Sequence, residues 1–223
     1  MEQFLAFPLE QIPYVVAVLL IAFTVHEFAH AFVAYKFGDP TAKNQGRLTL
    51  SPLAHLDPIG TILIFIAGFG WARPVPVNRF FFKSPRLAGV LVSIAGPISN
   101  LIVASIGLSL LFLLVKTGLL GSMTPTVQDG VIMFFEMLVY LNVLLFVFNL
   151  LPFPPLDGYR ILEDLAPANL RAKMTQYESY GIIIFLILVI TPLDQYTIQP
   201  IFSKVIPFVI NILQGIFRPL FGL

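Results

Sequence analysis

Long stretches of the chain run almost free of charge, and each is bounded by a charged residue or a helix breaker. The first covers 12–37, where Pro13 suits an opening helical turn and Gly38-Asp39-Pro40 stops the helix. About 20 apolar residues cross the ~30 Å hydrocarbon core of a bilayer, so full spans are predicted over 12–37, 86–115, 131–151 and 177–191. A last apolar run, 200–220, is interrupted by Lys204, Pro207 and Arg218 and is assigned as a further span rather than an interfacial helix. Between the first two spans the pattern changes. Residues 45–50 alternate polar and apolar, 73–78 is held extended by Pro74 and Pro76, and both predict short strands. Residues 58–71 are apolar but reach only about 20 Å as a helix, so they are read as re-entrant or interfacial. Irregular backbone at membrane depth is tolerated only inside protein or beside water, so a cavity is expected nearby. The fold class is an α-helical polytopic membrane protein. It has about four to six transmembrane helices, a small membrane-associated β-element and a re-entrant segment between the first and second full spans.

Composition agrees: 57% of the 223 residues are hydrophobic, 11% are charged, and the mean hydropathy is +0.89, so lipid rather than water is the natural solvent. A net charge of +1 offers no broad basic surface, which argues against nucleic acid as a partner. Without cysteine there is no disulfide framework and no thiolate, so a metal would have to be held by His and carboxylates. No small-residue cleavage site follows the first apolar run, which is read as a retained helix. Lys36, Lys43, Arg47, Arg73, Arg79, Lys83 and Arg86 all lie between the first two full spans, whereas the next connection sets Lys116 against Asp129. That bias places 38–85, and later 157–173, on the cytoplasmic side. No internal repeat and no long polar insertion is visible. Residues 1–223 are read as one domain, with a core at 12–167 and C-terminal helices at 175–223.

Against this background the run His26-Glu27-Phe28-Ala29-His30 stands out. A four-residue spacing puts both imidazoles on one helix face, where they can share a metal, while Glu27 can stand beside the open position as general base. Ionisable groups near mid-span cost on the order of 2–3 kcal/mol each unless paired, so they are functional by default. A third ligand is offered by Asp157, in the proline-rich run Asn149 to Gly158; an ordinary helix N-cap is the alternative reading of that residue. Two histidines and a carboxylate leave a fourth position for water, the pattern of a catalytic zinc site. Asn149 is a candidate for binding the substrate backbone or an oxyanion, or for satisfying unwound backbone. His55 is a candidate proton donor or substrate contact, or a structural hydrogen-bonding residue. Gly96 and Ser99 suit close helix packing.

Taken in order, three motifs resemble the site-2 protease family of intramembrane zinc metalloproteases: His26 to His30, Gly96-Pro97-Ile98-Ser99-Asn100, and Asn149 to Gly158. The run Gly70 to Asn78 is similar to compact bacterial and archaeal members. The resemblance implies one Zn2+ per chain on His26, His30 and Asp157, with Glu27 activating water. It also implies an endopeptidase that cleaves transmembrane segments of membrane-protein substrates, for regulated intramembrane proteolysis or remnant clearance, in a prokaryotic cell membrane. The chain has no room for the PDZ or nucleotide-sensing domains of larger relatives. Two rivals remain: a non-catalytic metal-binding membrane protein, which the intact Glu27 opposes, and a membrane protease of soluble substrates, which the short loops oppose.

Overall fold

The computed structural model describes residues 7–67 and 70–223. Along the chain run α1 (Ile12–Lys36), α2 (Thr41–Asn44), α3 (Pro58–Ala67), α4 (Pro85–Lys116), α5 (Pro125–Asn149), α6 (Asp157–Leu165), α7 (Ala168–Ile190), α8 (Asp194–Thr197) and α9 (Gln199–Leu220). Five of these, α1, α4, α5, α7 and α9, are long and apolar enough to cross a membrane. Pro13, Pro85, Pro125 and Pro200 each occupy a first turn, where the missing N–H has no partner to lose.

The β-element expected at 45–50 and 73–78 does not form: there is no strand among the described residues. Past α2, Gly46 adopts φ +68° and the Arg47 N–H bonds back to the Ala42 carbonyl at 2.8 Å, so that segment curls instead of extending. Residues 71–78 lack regular structure too, because their donors are spent singly. Arg73 N–H goes to the His55 carbonyl (2.8 Å) and Asn78 N–H to Asp39 (2.6 Å), while Pro74 and Pro76 have none to give, so no ladder can propagate. Of the run 58–71 expected to be re-entrant or interfacial, residues 58–67 form the short helix α3; residues 68–69 lie outside the described residues.

Helices α1, α4 and α5 make the centre. In lipid, helices associate through close packing rather than the hydrophobic effect, and small residues permit it. Ala34 of α1 accordingly meets Ala88 and Val92 of α4, while Val15, Val18 and Leu19 pack on Leu138 and Leu141 of α5 and on Ile64 of α3. Ala104 and Leu108 of α4 join Val139, Val143 and Val147 of α5, closed over by Ile206 and Leu213 of α9. Ile183, Ile184, Ile187 and Ile190 of α7 stay exposed, as a lipid-facing surface would.

Contacts fix the direction of the last helices. The Phe202 ring, near the start of α9, lies 6.2 Å from Phe148 at the end of α5, and Phe221, just beyond α9, lies 6.2 Å from Phe112 near the end of α4. Helix α9 therefore runs with α4 and against α5. Helix α7 starts beside the basic end of α4 and reaches Phe148 and Phe153 with Phe185 (5.9 and 6.0 Å). Thus α7 runs from the start of α4 towards the end of α5.

Helix α6 is clamped at the basic end. Fully buried Asp164 pairs with Arg79 and Arg171, Arg160 bridges Glu163 (3.2 Å) and Glu178 (2.5 Å), and the Tyr159 hydroxyl donates to the Met174 carbonyl (2.7 Å). Burial pushes the Asp164 carboxyl above its ordinary value despite the two guanidiniums.

Candidate metal and active site

His26 and His30 are both buried, and their Nε2 atoms approach to 3.0 Å. Which nitrogens carry protons follows from the groups behind them. The Asn142 side-chain N–H2 donates to the Leu138 carbonyl (2.9 Å), which turns the Asn142 oxygen towards Asn100; the Asn100 N–H2 donates to that oxygen (3.0 Å) and to the Ala22 carbonyl (3.3 Å). The Asn100 oxygen then faces His26 Nδ1 at 2.7 Å, so this nitrogen must be the donor. On His30, Nδ1 lies 2.7 Å from the Val92 carbonyl, which only accepts. In their neutral, metal-binding forms both rings therefore turn Nε2 lone pairs towards each other, an arrangement that repels unless a cation lies between them.

Asp157 supplies the third group. Its Oδ2 is 3.3 Å from each Nε2, and it is buried without a hydrogen-bond partner. Ligand atoms about 2.0–2.1 Å from a tetrahedral zinc are about 3.3 Å apart, so the spacing fits that ion. Asp157 is the first residue of α6; the cap position belongs to Leu156, and no side-chain cap bond forms. Its place depends on Gly158, where a Cβ would lie 2.3 Å from the Leu150 carbonyl oxygen; without one, α6 can start directly on the end of α5. Across the site, a Cβ on Gly96 would sit 2.3 Å from His30 Nε2 and 2.6 Å from His26 Nε2. The space that glycine leaves is the one that both Nε2 atoms border. His26, His30 and Asp157 are also the one group of three His or carboxylate residues within metal-sharing range among the described residues.

Glu27 is buried beside this cluster and outside it. Its Oε2 accepts the Val75 backbone N–H at 2.8 Å, so the extended 71–78 segment is tied to the acid. Arg47 holds that segment from behind, donating to the Arg73 carbonyl (2.6 Å) and approaching that of Pro74 (3.4 Å). Burial, with Arg73 close by, lowers the Arg47 pKa from its ordinary value. His55 is fully buried; its Nε2 pairs with the Thr49 carbonyl (2.8 Å) and its Nδ1 has no partner. The Asn149 amide donates to the Leu145 carbonyl of its own helix (3.0 Å). Neither residue belongs to the three-ligand cluster.

Sequence reasoning gave no role to Asn142, Val75 or Arg47, and named Asn100 only within a motif. A usable signal existed for the asparagines, since amides in the middle of apolar spans demand partners. Asn100→Leu is expected to lower zinc affinity about 10- to 100-fold, the usual effect of losing a histidine's outer partner. Competition titration against a zinc-binding dye checks this, and unchanged affinity would remove Asn100 from the site.

With three ligand atoms in range of one ion and a fourth position unfilled by protein among the described residues, and with a carboxylate next to them, the arrangement has the parts of a hydrolytic metal centre inside a helical bundle. Comparison with known proteins points the same way. The pattern of peptidase family M50 matches residues 117–191. A Bacillus subtilis protein named "Putative zinc metalloprotease YwhC" is 59% identical over 220 residues, which cover 99% of this chain and 100% of that protein. Proteins of Mycobacterium tuberculosis and Mycolicibacterium smegmatis, with the same designation and the name Rip2, are 36% and 34% identical over 185 and 183 residues, 80% of this chain and 67% of theirs. No solved structure matches significantly. The chain belongs to peptidase family M50, the site-2 proteases, and is an integral multi-pass membrane protein.

Proposed function

We propose that this chain is an intramembrane endopeptidase that cleaves transmembrane segments of other membrane proteins. His26, His30 and Asp157 would hold the metal, and Glu27 would act as general base. The metal is Zn2+, as the family implies. One observation carries the reading: two imidazole Nε2 atoms, facing the space that Gly96 leaves, and an orphaned Asp157 carboxylate oxygen come within 3.3 Å of one another, with the Glu27 carboxylate beside them. Zn2+ bound there would supply Lewis-acid polarisation and a lowered water pKa.

The chain's own residues do the rest. Asn100 and the Val92 carbonyl fix both rings with Nε2 towards the centre. Glu27 takes a proton from the attacking water at its carboxylate and returns it to the departing amine. The Val75 N–H, on Oε2 at rest, holds that carboxylate in place and leaves the other oxygen for the proton. The site works near the cytoplasmic face, since His30 lies about two turns from Lys36 at the basic end of α1. A helical substrate hides its peptide bonds in its own hydrogen bonds, so cleavage requires local unwinding, which helix-breaking residues favour.

The test is metal removal. Purified protein in detergent should cleave a transmembrane peptide carrying a central Gly-Pro pair, lose that activity on chelation, and regain it with Zn2+. Equal cleavage by the chelated protein, or none by the loaded protein across several such peptides, would sink the proposal.

A further inference from the structure

At the basic end of the bundle, away from the metal cluster, a shallow, open hollow lies between the first turn of α4 and the polar half of α7. It is lined by Arg86, Ala168, Arg171, Ala172, Thr175 and Gln176. Its polar lining is two guanidiniums, the Gln176 amide and the Thr175 hydroxyl, which donates to Glu163 (2.7 Å) behind it; no carboxylate is among the lining residues. Arg86 has no ion pair or hydrogen bond among the described residues. Arg171 shares one oxygen of Asp164 with Arg79, so of the two lining guanidiniums one is already paired and Arg86 is left without a counter-charge. An unpaired guanidinium with a second one across an open hollow suits an anion, and a phosphate above all.

Depth identifies the source of that phosphate. Arg86 stands at the mouth of a span whose next outward residues, Leu87 and Leu91, are exposed. On α7 the cavity-lining residues give way directly to exposed Tyr177 and Tyr180, whose rings lie 6.2 Å apart, and then to exposed Ile183 and Ile184. Tyrosine between a polar and an apolar segment marks the headgroup level of a membrane. The cavity therefore sits where headgroups lie, with lipid-facing apolar surface continuing from it along both helices.

We propose that this cavity binds the headgroup of an anionic phospholipid, with Arg86 and Arg171 on its phosphodiester and the acyl chains along Leu87, Leu91, Ile183 and Ile184. A zwitterionic lipid is disfavoured, because its cationic end meets the same guanidiniums. Since Arg171 also reaches Asp164 of α6, the lipid would be joined through one ion pair to the helix that begins at Asp157.

The experiment uses the full-length protein in detergent, with native mass spectrometry to count retained lipid and thermal unfolding as a second readout. Phosphatidylglycerol, phosphatidylcholine and inorganic phosphate are compared on the wild type, Arg86→Gln and Arg171→Gln. Arg86 is exposed and unpaired, so Arg86→Gln should unfold like the wild type in phosphatidylcholine, which controls for the fold. Expected are a Tm rise and retained lipid with phosphatidylglycerol alone, and about tenfold weaker retention in each variant, as for loss of one charge-assisted bond. Equal phosphatidylglycerol retention by wild type and both variants would overturn the site. Protection by inorganic phosphate that matches phosphatidylglycerol and needs the same arginines would overturn the lipid assignment.

Discussion

Gly96→Ala is expected to reduce bound zinc from one per chain to nearly none and to abolish cleavage with it. The added methyl would stand 2.3 Å from His30 Nε2 and 2.6 Å from His26 Nε2, in the space towards which the ligand atoms point. Neither ring has room to retreat, because Asn100 and the Val92 carbonyl hold the far nitrogens at 2.7 Å. Overpacking of this kind costs about 1–3 kcal/mol, enough to displace the rings without unfolding the bundle. Gly107→Ala is the control. Its methyl would meet the Leu138 side chain, with the terminal methyl nearest at 2.8 Å, and a leucine terminus can shift, so zinc and cleavage should persist. Metal analysis of both purified variants, with circular dichroism to verify helicity, checks the prediction. A full complement of zinc in Gly96→Ala would mean that the metal is not held between these histidines.

Glu27→Gln separates binding from chemistry. The Glu27 carboxylate is outside the ligand cluster and is tied to the Val75 N–H at 2.8 Å, a bond that a glutamine oxygen can accept equally well. Zinc content and Tm should therefore match the wild type. The amide cannot take a proton, so cleavage of a transmembrane peptide should fall about 10^3- to 10^4-fold, near the upper range for loss of a general base. Cleavage within a few-fold of the wild type at equal zinc would assign the base elsewhere. Loss of zinc would instead show that Glu27 shapes the metal site.

The long helices were legible because hydropathy is nearly all that decides a span: the expected 12–37 is Ile12–Lys36 and the expected 86–115 is Pro85–Lys116. The site was legible for a related reason. Ionisable residues are so costly in an apolar helix that His26, Glu27 and His30 had few innocent readings. The connection between α1 and α4 was harder. Alternation at 45–50 reads as a strand, but Gly46 and the preceding helical turn overrule it, and a proline-set extended run needs a partner edge that no local pattern can reveal. The direction of α7 and α9 was equally hidden, since it depends on contacts such as Phe202 with Phe148 between residues far apart in sequence. The Asn142–Asn100–His26 relay joins three helices, and its order is visible only once they are packed.

The three ligand atoms come from the two ends of the core: His26 and His30 from α1, Asp157 from the start of α6, more than half the chain later. A centre so divided has an order of assembly built into it. During synthesis α1, α4 and α5 leave the ribosome ahead of residue 157, so the full ligand set of the proposed ion forms only once those spans are entering the lipid. Its binding energy then acts as a late staple, joining α6 to α1 after the spans have packed. The hydrated ion must also enter by a polar path through a finished protein. The route by which water reaches the site for each turnover would thus also be the route along which the enzyme is first armed.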